Sequence, residues 1–152
     1  MNRLLLTLVI ATTVAGLLAP SPGAAQILPP LKKAERVKIT KSPELEIAGE
    51  YLTIIRWETN NPGGSDVHYG IVHYGTDPKD LSKTAKNPIR LNHRHRYTTF
   101  RVRIEGLEPE TTYYYRVGSE ESSGTSDGVK SIVKKFTTPP RGERFVPDPK
   151  PG

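Results

Sequence analysis

Between residues 36 and 139 apolar side chains recur at every second position, the period of a half-buried β-strand. RVKIT (36–40) alternates Val37 and Ile39 with charges, and LEIA (45–48) continues it after Ser42-Pro43, a pair that breaks or switches an edge strand. YLTIIRWET (51–59) puts Tyr51, Thr53, Ile55 and Trp57 on one face, and NNPGGSD (60–66) is a dense turn signal. VHYGIVHYG (67–75) follows, with Val72 and Tyr74 inward. TDPKDLSKTAKNP (76–88) reads as a polar loop with room for a short edge strand. TTFRVRIEGL (98–107) points Phe100, Val102 and Ile104 inward, and Arg101 and Arg103 outward. TYYYRV (112–117) points Tyr113, Tyr115 and Val117 inward, and leaves Tyr114 and Arg116 to solvent. SEESSGTSDG (119–128) reads as a hairpin loop, VKSIVKKFTT (129–138) as the closing strand, and Pro139-Pro140 as its stop.

No stretch has helical period, and strands do not alternate with helices, so a parallel sheet is not expected. About seven short strands within about 100 residues predict an all-β, immunoglobulin-like sandwich of two sheets. In that architecture a tyrosine near the start of the sixth strand turns its ring into the core and bonds its hydroxyl to nearby backbone. Tyr113 holds that position, behind a corner shaped by Leu107 and Pro109. Trp57 is expected to meet Tyr115 and Val117 across the core.

The two ends differ from the middle. Residues 1–25 carry Arg3, an apolar run Leu4–Ala19, and small residues Gly23 and Ala25 before Gln26. This is the pattern of a cleaved secretory signal peptide. The alternative, an uncleaved anchor, fits less well, because about 16 apolar residues fall short of the roughly 20 that span a bilayer. ILPPLKKAE (27–35) is an extended Pro-rich linker within residues 26–35, the unit 36–139 is the globular domain, and 140–152 form a Pro-rich tail. The mature protein is expected to be secreted, extracellular or periplasmic, and free of the membrane. The chain has 152 residues and no cysteine, which excludes disulfides and thiolate metal sites. Its net charge of +6 is scattered rather than clustered, so nucleic acid is not an expected partner.

Trp57, the pair Val72 and Tyr74, and the series Leu107-x-Pro-x-Thr-x-Tyr-x-Tyr-x-Val117 resemble a fibronectin type III domain over residues 36–139. DVHYGIVHYGT, LEPETTYYYRVGSE and FTTPP resemble more narrowly the N-terminal fibronectin-like domain of purple acid phosphatases. The resemblance implies a seven-stranded fibronectin type III sandwich. In that family this domain precedes a metallophosphoesterase domain. Gly70 departs from the pattern, because fibronectin modules often carry an inward aromatic there; either a neighbour fills the space or the strand bends.

The phosphatase motifs GDxG, GDxxY, GNH[DE] and VxxH do not occur, and NHRH (92–95) imitates GHxH with Asn92 in place of glycine. His93 and His95 come nearest to a metal pair if that segment is extended, with His73, His68 or Asp77 as a third ligand. A hydrolytic zinc site needs three ligands and an open position, and Arg94 and Arg96 oppose a cation, so no metal site, cofactor or catalytic residue is assigned. Carboxylate pairs such as Asp77 and Asp80, or Glu120 and Glu121, lie in turn-rich segments as solvating charges. Two surfaces remain. Arg94, Arg96, Arg101 and Arg103, with Tyr114, suggest attraction for an anionic surface glycan or another protein. Leu52, Ile54, Tyr69 and Ile71 face outward by parity and form an apolar patch if they share a sheet. The expected function is that of a secreted, non-catalytic binding module. The alternative is an accessory domain of a purple-acid-phosphatase-like enzyme.

Overall fold

The computed structural model describes residues 32–146. The expected signal peptide, most of the Pro-rich linker and the end of the tail lie outside the described residues. The strands are β1 (Ile39–Gly49), β2 (Leu52–Asn60), β3 (Val67–Gly75), β4 (Lys83–Arg90), β5 (Tyr97–Glu105), β6 (Thr112–Glu121), β7 (Ser126–Lys130), β8 (Lys134–Thr137) and β9 (Arg144–Phe145). One sheet runs β5-β2-β1-β9. The other runs β4-β3-β6-β7, with β8 also paired to β6. All pairings are antiparallel. The result is the expected all-β sandwich.

Alternation produces the core. Thr53, Ile55, Trp57 and Thr59 of β2 are buried, and the register sets Ile55 against Val102 and Trp57 against Phe100 of β5. The facing sheet contributes Val72 opposite Val117, and Tyr113 opposite Phe136. Burying each large apolar side chain stabilises the fold by about 1.5–3 kcal/mol. Trp57 stacks on Phe100 at a centroid distance of 5.3 Å, and Phe136 packs on Tyr113 and Tyr115 at 5.6 and 5.8 Å. Burial pushes the Tyr115 hydroxyl up to about 12, with the Glu44 carboxylate adding to it, so that ring stays neutral.

The expected tyrosine corner is present. Glu108 N–H donates to Tyr113 Oη at 3.0 Å, and Thr138 Oγ1 donates to Glu108 O at 2.5 Å while accepting from Thr111 N at 2.9 Å. The choice at Gly70 is also resolved. A Cβ there would stand 3.0 Å from Trp57, Phe100 and Val102 side-chain atoms. Trp57, Phe100 and Val102 fill the space together, reaching it from the opposite sheet.

Several expectations need correction. Tyr51 precedes β2 and is 47% exposed, because its role is backbone: its carbonyl accepts from Leu107 N. Tyr114 is half-buried rather than exposed, lying opposite Lys135 in a continuous sheet. Ser42-Pro43 does not divide β1, which absorbs the proline through register shifts. The polar loop 76–88 contains much of β4, a strand paired along its length with β3. The hairpin loop 119–128 is shorter than its composition suggested, since β6 runs to Glu121 and β7 begins at Ser126. The stretch 129–138 is split between β7 and β8, leaving Ile132 exposed between them. Within the tail, Arg144 and Phe145 pair with Gly49 and Ala48.

The outward apolar patch does not form. Leu52 and Ile54 lie on β2, Tyr69 and Ile71 on β3, and these strands belong to different sheets. Ile71 is buried, not exposed. Lys86 of β4 reaches Glu120 of β6 at 2.7 Å, so the bridge crosses β3, where Ile71 lies opposite Lys86.

Gly70→Ala is expected to destabilise the chain by about 1–3 kcal/mol, the usual cost of overpacking a filled core. Urea unfolding followed by Trp57 fluorescence measures it, and an unchanged midpoint would refute the close-contact account.

Candidate binding faces and a buried histidine–aspartate pair

The most organised polar group lies at the end of the sandwich where the turn 61–66 leads into β3. Inward parity on β3 sends His68 into the interior, and on β7 it sends Asp127 toward it. Both side chains are fully buried, and His68 Nδ1 lies 3.0 Å from Asp127 Oδ2. His68 Nε2 lies 3.0 Å from the Gly63 carbonyl. That carbonyl can only accept, so Nε2 carries a proton; the ionised carboxylate also accepts, so Nδ1 carries one too. Ser119 Oγ donates to the same Asp127 oxygen at 2.7 Å. Glu121 and Lys33 close the outer side as an ion pair.

The electrostatics follow. Burial opposes charge on His68, but the Asp127 hydrogen bond and charge, with the Gly63 carbonyl and Glu121, outweigh it and hold the imidazole above its ordinary value. Burial likewise disfavours the Asp127 carboxylate, yet hydrogen bonds from His68 and Ser119 hold it below the usual range. The pair ties β3 to β7, an edge strand with few ladder partners of its own.

The two outer faces differ in charge. On the β5-β2-β1 face, Lys41, Arg56, Arg101 and Arg103 sit among Glu44, Glu46, Glu58 and Glu105. Arg101 Nε bonds both Glu46 oxygens, at 3.0 and 2.8 Å, Arg103 pairs with Glu105 at 2.7 Å, and Lys41 with Glu58 at 3.3 Å. Antiparallel register places Glu44 opposite Arg56. Positive charge here is matched locally. Tyr114 belongs to the other sheet, and Arg94 and Arg96 are exposed on the 91–96 connection, so these five residues do not form one patch.

The β4-β3-β6-β7 face is unbalanced. Arg116 lies opposite His73, Lys130 opposite Gly118, and Lys135 opposite Tyr114. Burial and the cations Arg116, Lys130 and Lys86 hold His73 below its ordinary value, with only Glu120 pulling the other way. Tyr69 and Tyr114 are half-buried on the same face.

His93 and His95 are not gathered around a site. Residues 91–96 form a turn, in which Asn92 Oδ1 accepts from Arg94 N at 3.0 Å. His93 Nε2 bonds Asp66 at 2.9 Å, while His95 is exposed. Asp77 Oδ1 caps Lys79 N at 2.8 Å. Two open grooves indent the surface. One, of about 380 Å³, lies between residues 35–39 and 127–130; the other, of about 220 Å³, lies beside residues 78–82, Arg116 and Val133.

The purple acid phosphatase N-terminal domain model matches residues 50–138, more than half the chain. The chain belongs to that family. The matched segment runs from Glu50, just before β2, to Thr138, and so includes the tyrosine corner and the His68–Asp127 pair. No curated protein matches the chain in sequence. Among solved structures, it is similar to the sensor domain of the anti-sigma factor RsgI4 in Pseudobacteroides cellulosolvens, at 16% identity and TM-score 0.48, over 73% of this chain and 97% of that one. A solution structure of the same sensor domain matches at 16% identity and TM-score 0.49, over 77% and 86%. The fn3 domain of human contactin 1 matches at 16% identity and TM-score 0.40, over 81% and 96%.

The ion pair predicts a pH window. The His68 contribution is complete below 6.5 and fades as pH rises through its raised folded value. The Asp127 contribution is complete above 3.8 and fades as pH falls through its lowered folded value. Stability measured by urea unfolding is therefore expected to be greatest between these two ordinary values, and His68→Asn to flatten the decline on the alkaline side. A decline that survives in the variant would place the titrating group elsewhere. Asp127→Asn, which strands a buried imidazolium, is expected to cost about 3–5 kcal/mol in the same assay.

Proposed function

We propose that this domain is a non-catalytic interaction module working outside the cytoplasm, and that the β4-β3-β6-β7 face receives an acidic surface of a partner protein. The observation that carries this reading is the excess of positive charge around His73, where Arg116, Lys130 and Lys86 face a single opposing carboxylate, Glu120, on a sheet face that also presents two tyrosines. Tyrosine and arginine are the side chains that most often anchor protein interfaces, and complementary charge raises association rate and selectivity. The opposite face, with its cations individually matched, offers an approaching anion much less.

A second reading is favoured by the family match over residues 50–138. In it the partner is a metallophosphatase catalytic domain, and acid phosphatase activity and metal binding reside in that partner. The tyrosine corner, the filled core and the absence of the phosphatase ligand motifs support an accessory rather than a hydrolytic role for these residues.

Charge reversal separates the faces. With the mature protein as bait on its own extracellular fraction, Lys130→Glu/Lys135→Glu is expected to weaken capture of the partner at least about tenfold, equivalent to about 1.4 kcal/mol. Arg101→Glu/Arg103→Glu is expected to change it far less. Equal losses from both, or capture abolished by glycan digestion instead of proteolysis, would overturn the assignment. The pure chain is expected to show no hydrolysis of a generic phosphomonoester with added iron, zinc or manganese; metal-dependent turnover would refute the non-catalytic reading.

A further inference from the structure

We propose that His68, Asp127 and Glu121 form a binding site for a divalent first-row cation of the zinc class, in which the ion takes the place of the proton on His68 Nδ1 and displaces Lys33 from Glu121. An imidazole and two carboxylates place one ligand atom each within 4.8 Å of one another. This donor set suits a borderline cation and leaves a fourth position open.

An independent observation concerns one of these ligands. Asp127 Oδ1 is sealed from solvent and has no hydrogen-bond partner, although its side chain has no exposure. A buried carboxylate oxygen without a partner bears its desolvation uncompensated, and a cation shared by both carboxylates and the imidazole would satisfy it. The surrounding shell is already arranged for this. His68 Nε2–H donates to the Gly63 carbonyl, the contact that fixes a ligating histidine with Nδ1 toward the ion. Ser119 Oγ orients the Asp127 carboxylate from behind.

The spacing is close to that of coordination. Two ligands about 2.0–2.1 Å from a zinc ion at a tetrahedral angle stand about 3.3 Å apart, and His68 Nδ1 to Asp127 Oδ2 is 3.0 Å. Binding thus requires a separation of a few tenths of an ångström. Glu121 can approach because residue 64 is glycine, with a φ of 76°; a Cβ there would stand 3.0 Å from Glu121 Oε1. Lys33 now neutralises Glu121 from the solvent side. Its side chain is 45% exposed, so its ammonium can return to water when an ion enters. The ion would hold β3, β6 and β7 together, a structural role distinct from the docking face.

The test is calorimetric titration of chelator-stripped full-length protein with zinc chloride, alongside thermal unfolding. Saturable binding of one ion per chain is expected, with a Tm that rises with zinc concentration. His68→Gln and Glu121→Gln are each expected to weaken binding at least about tenfold, since even outer-shell changes cost about 10–100-fold. His93→Gln/His95→Gln is expected to leave it unchanged. Lys33→Ala, a surface change that keeps the fold, is expected to tighten binding by removing the competing ammonium. The proposal fails if no one-to-one binding occurs, if the His93/His95 variant abolishes it, or if affinity is indifferent to both Lys33→Ala and Glu121→Gln.

Discussion

Trp57, with Phe100 and Val102, occupies the space that a side chain at position 70 would need, and this exchange brings the two sheets into direct contact there. The indole reaches from β2 to the backbone of β3, and a Cβ at Gly70 would stand 3.0 Å from it. Phe100 fixes the indole by stacking from the neighbouring strand. Tyr113, Phe136 and Tyr115 complete an aromatic column farther along the core. Close-packed interiors transmit displacement rather than absorb it. Moving β3 outward would therefore shift Val72 from its contacts and, two residues from Gly70, shift His68 from Asp127.

The polar interior and the basic exterior are linked through β7. This strand has sparse ladder contacts with β6, so its position depends on side chains. Asp127 anchors it from inside through His68 and Ser119. Lys130, three residues on, is then held opposite Gly118 on the outer face, beside the charge field around His73. Loosening the buried pair would loosen part of the surface that we assign to partner binding, without touching that surface directly.

What the sequence disclosed follows the same physics. Strands with one wet and one dry face alternate, so the inward residues of β2, β5 and β6 were legible one by one, and the Leu107–Tyr113 corner with them. β4 was obscured because, apart from Ile89, the inward positions of KTAKNPIR carry only Ala85 and Asn87, an edge strand without a strong inward pattern. The His68–Asp127 pair was hidden for another reason. Asp127, Ser119 and Glu121 sit in SEESSGTSDG, a composition that reads as loop throughout, and their partner His68 lies 59 residues from Asp127 in sequence. Only the register of β6, β7 and β3 brings them together. The matched charges of the opposite face were equally out of reach, since Glu46 meets Arg101 across 55 residues and a bulged strand whose parity cannot be counted.

The placement of histidines sorts their chemistry. His73 lies outside, where neighbouring cations disfavour a further positive charge, so it stays neutral and leaves the surrounding Arg116 and Lys130 to define the field. His68 lies inside, where two fixed acceptors demand that its nitrogens each face a positive centre, whether a proton or a metal ion. Both are inserted by the same strand, five residues apart, and the odd spacing is decisive: parity alone sends one to each face of β3. A family domain built by alternation can thus hold a cationic centre within its core and a cationic surface outside it, separated by the thickness of a single sheet.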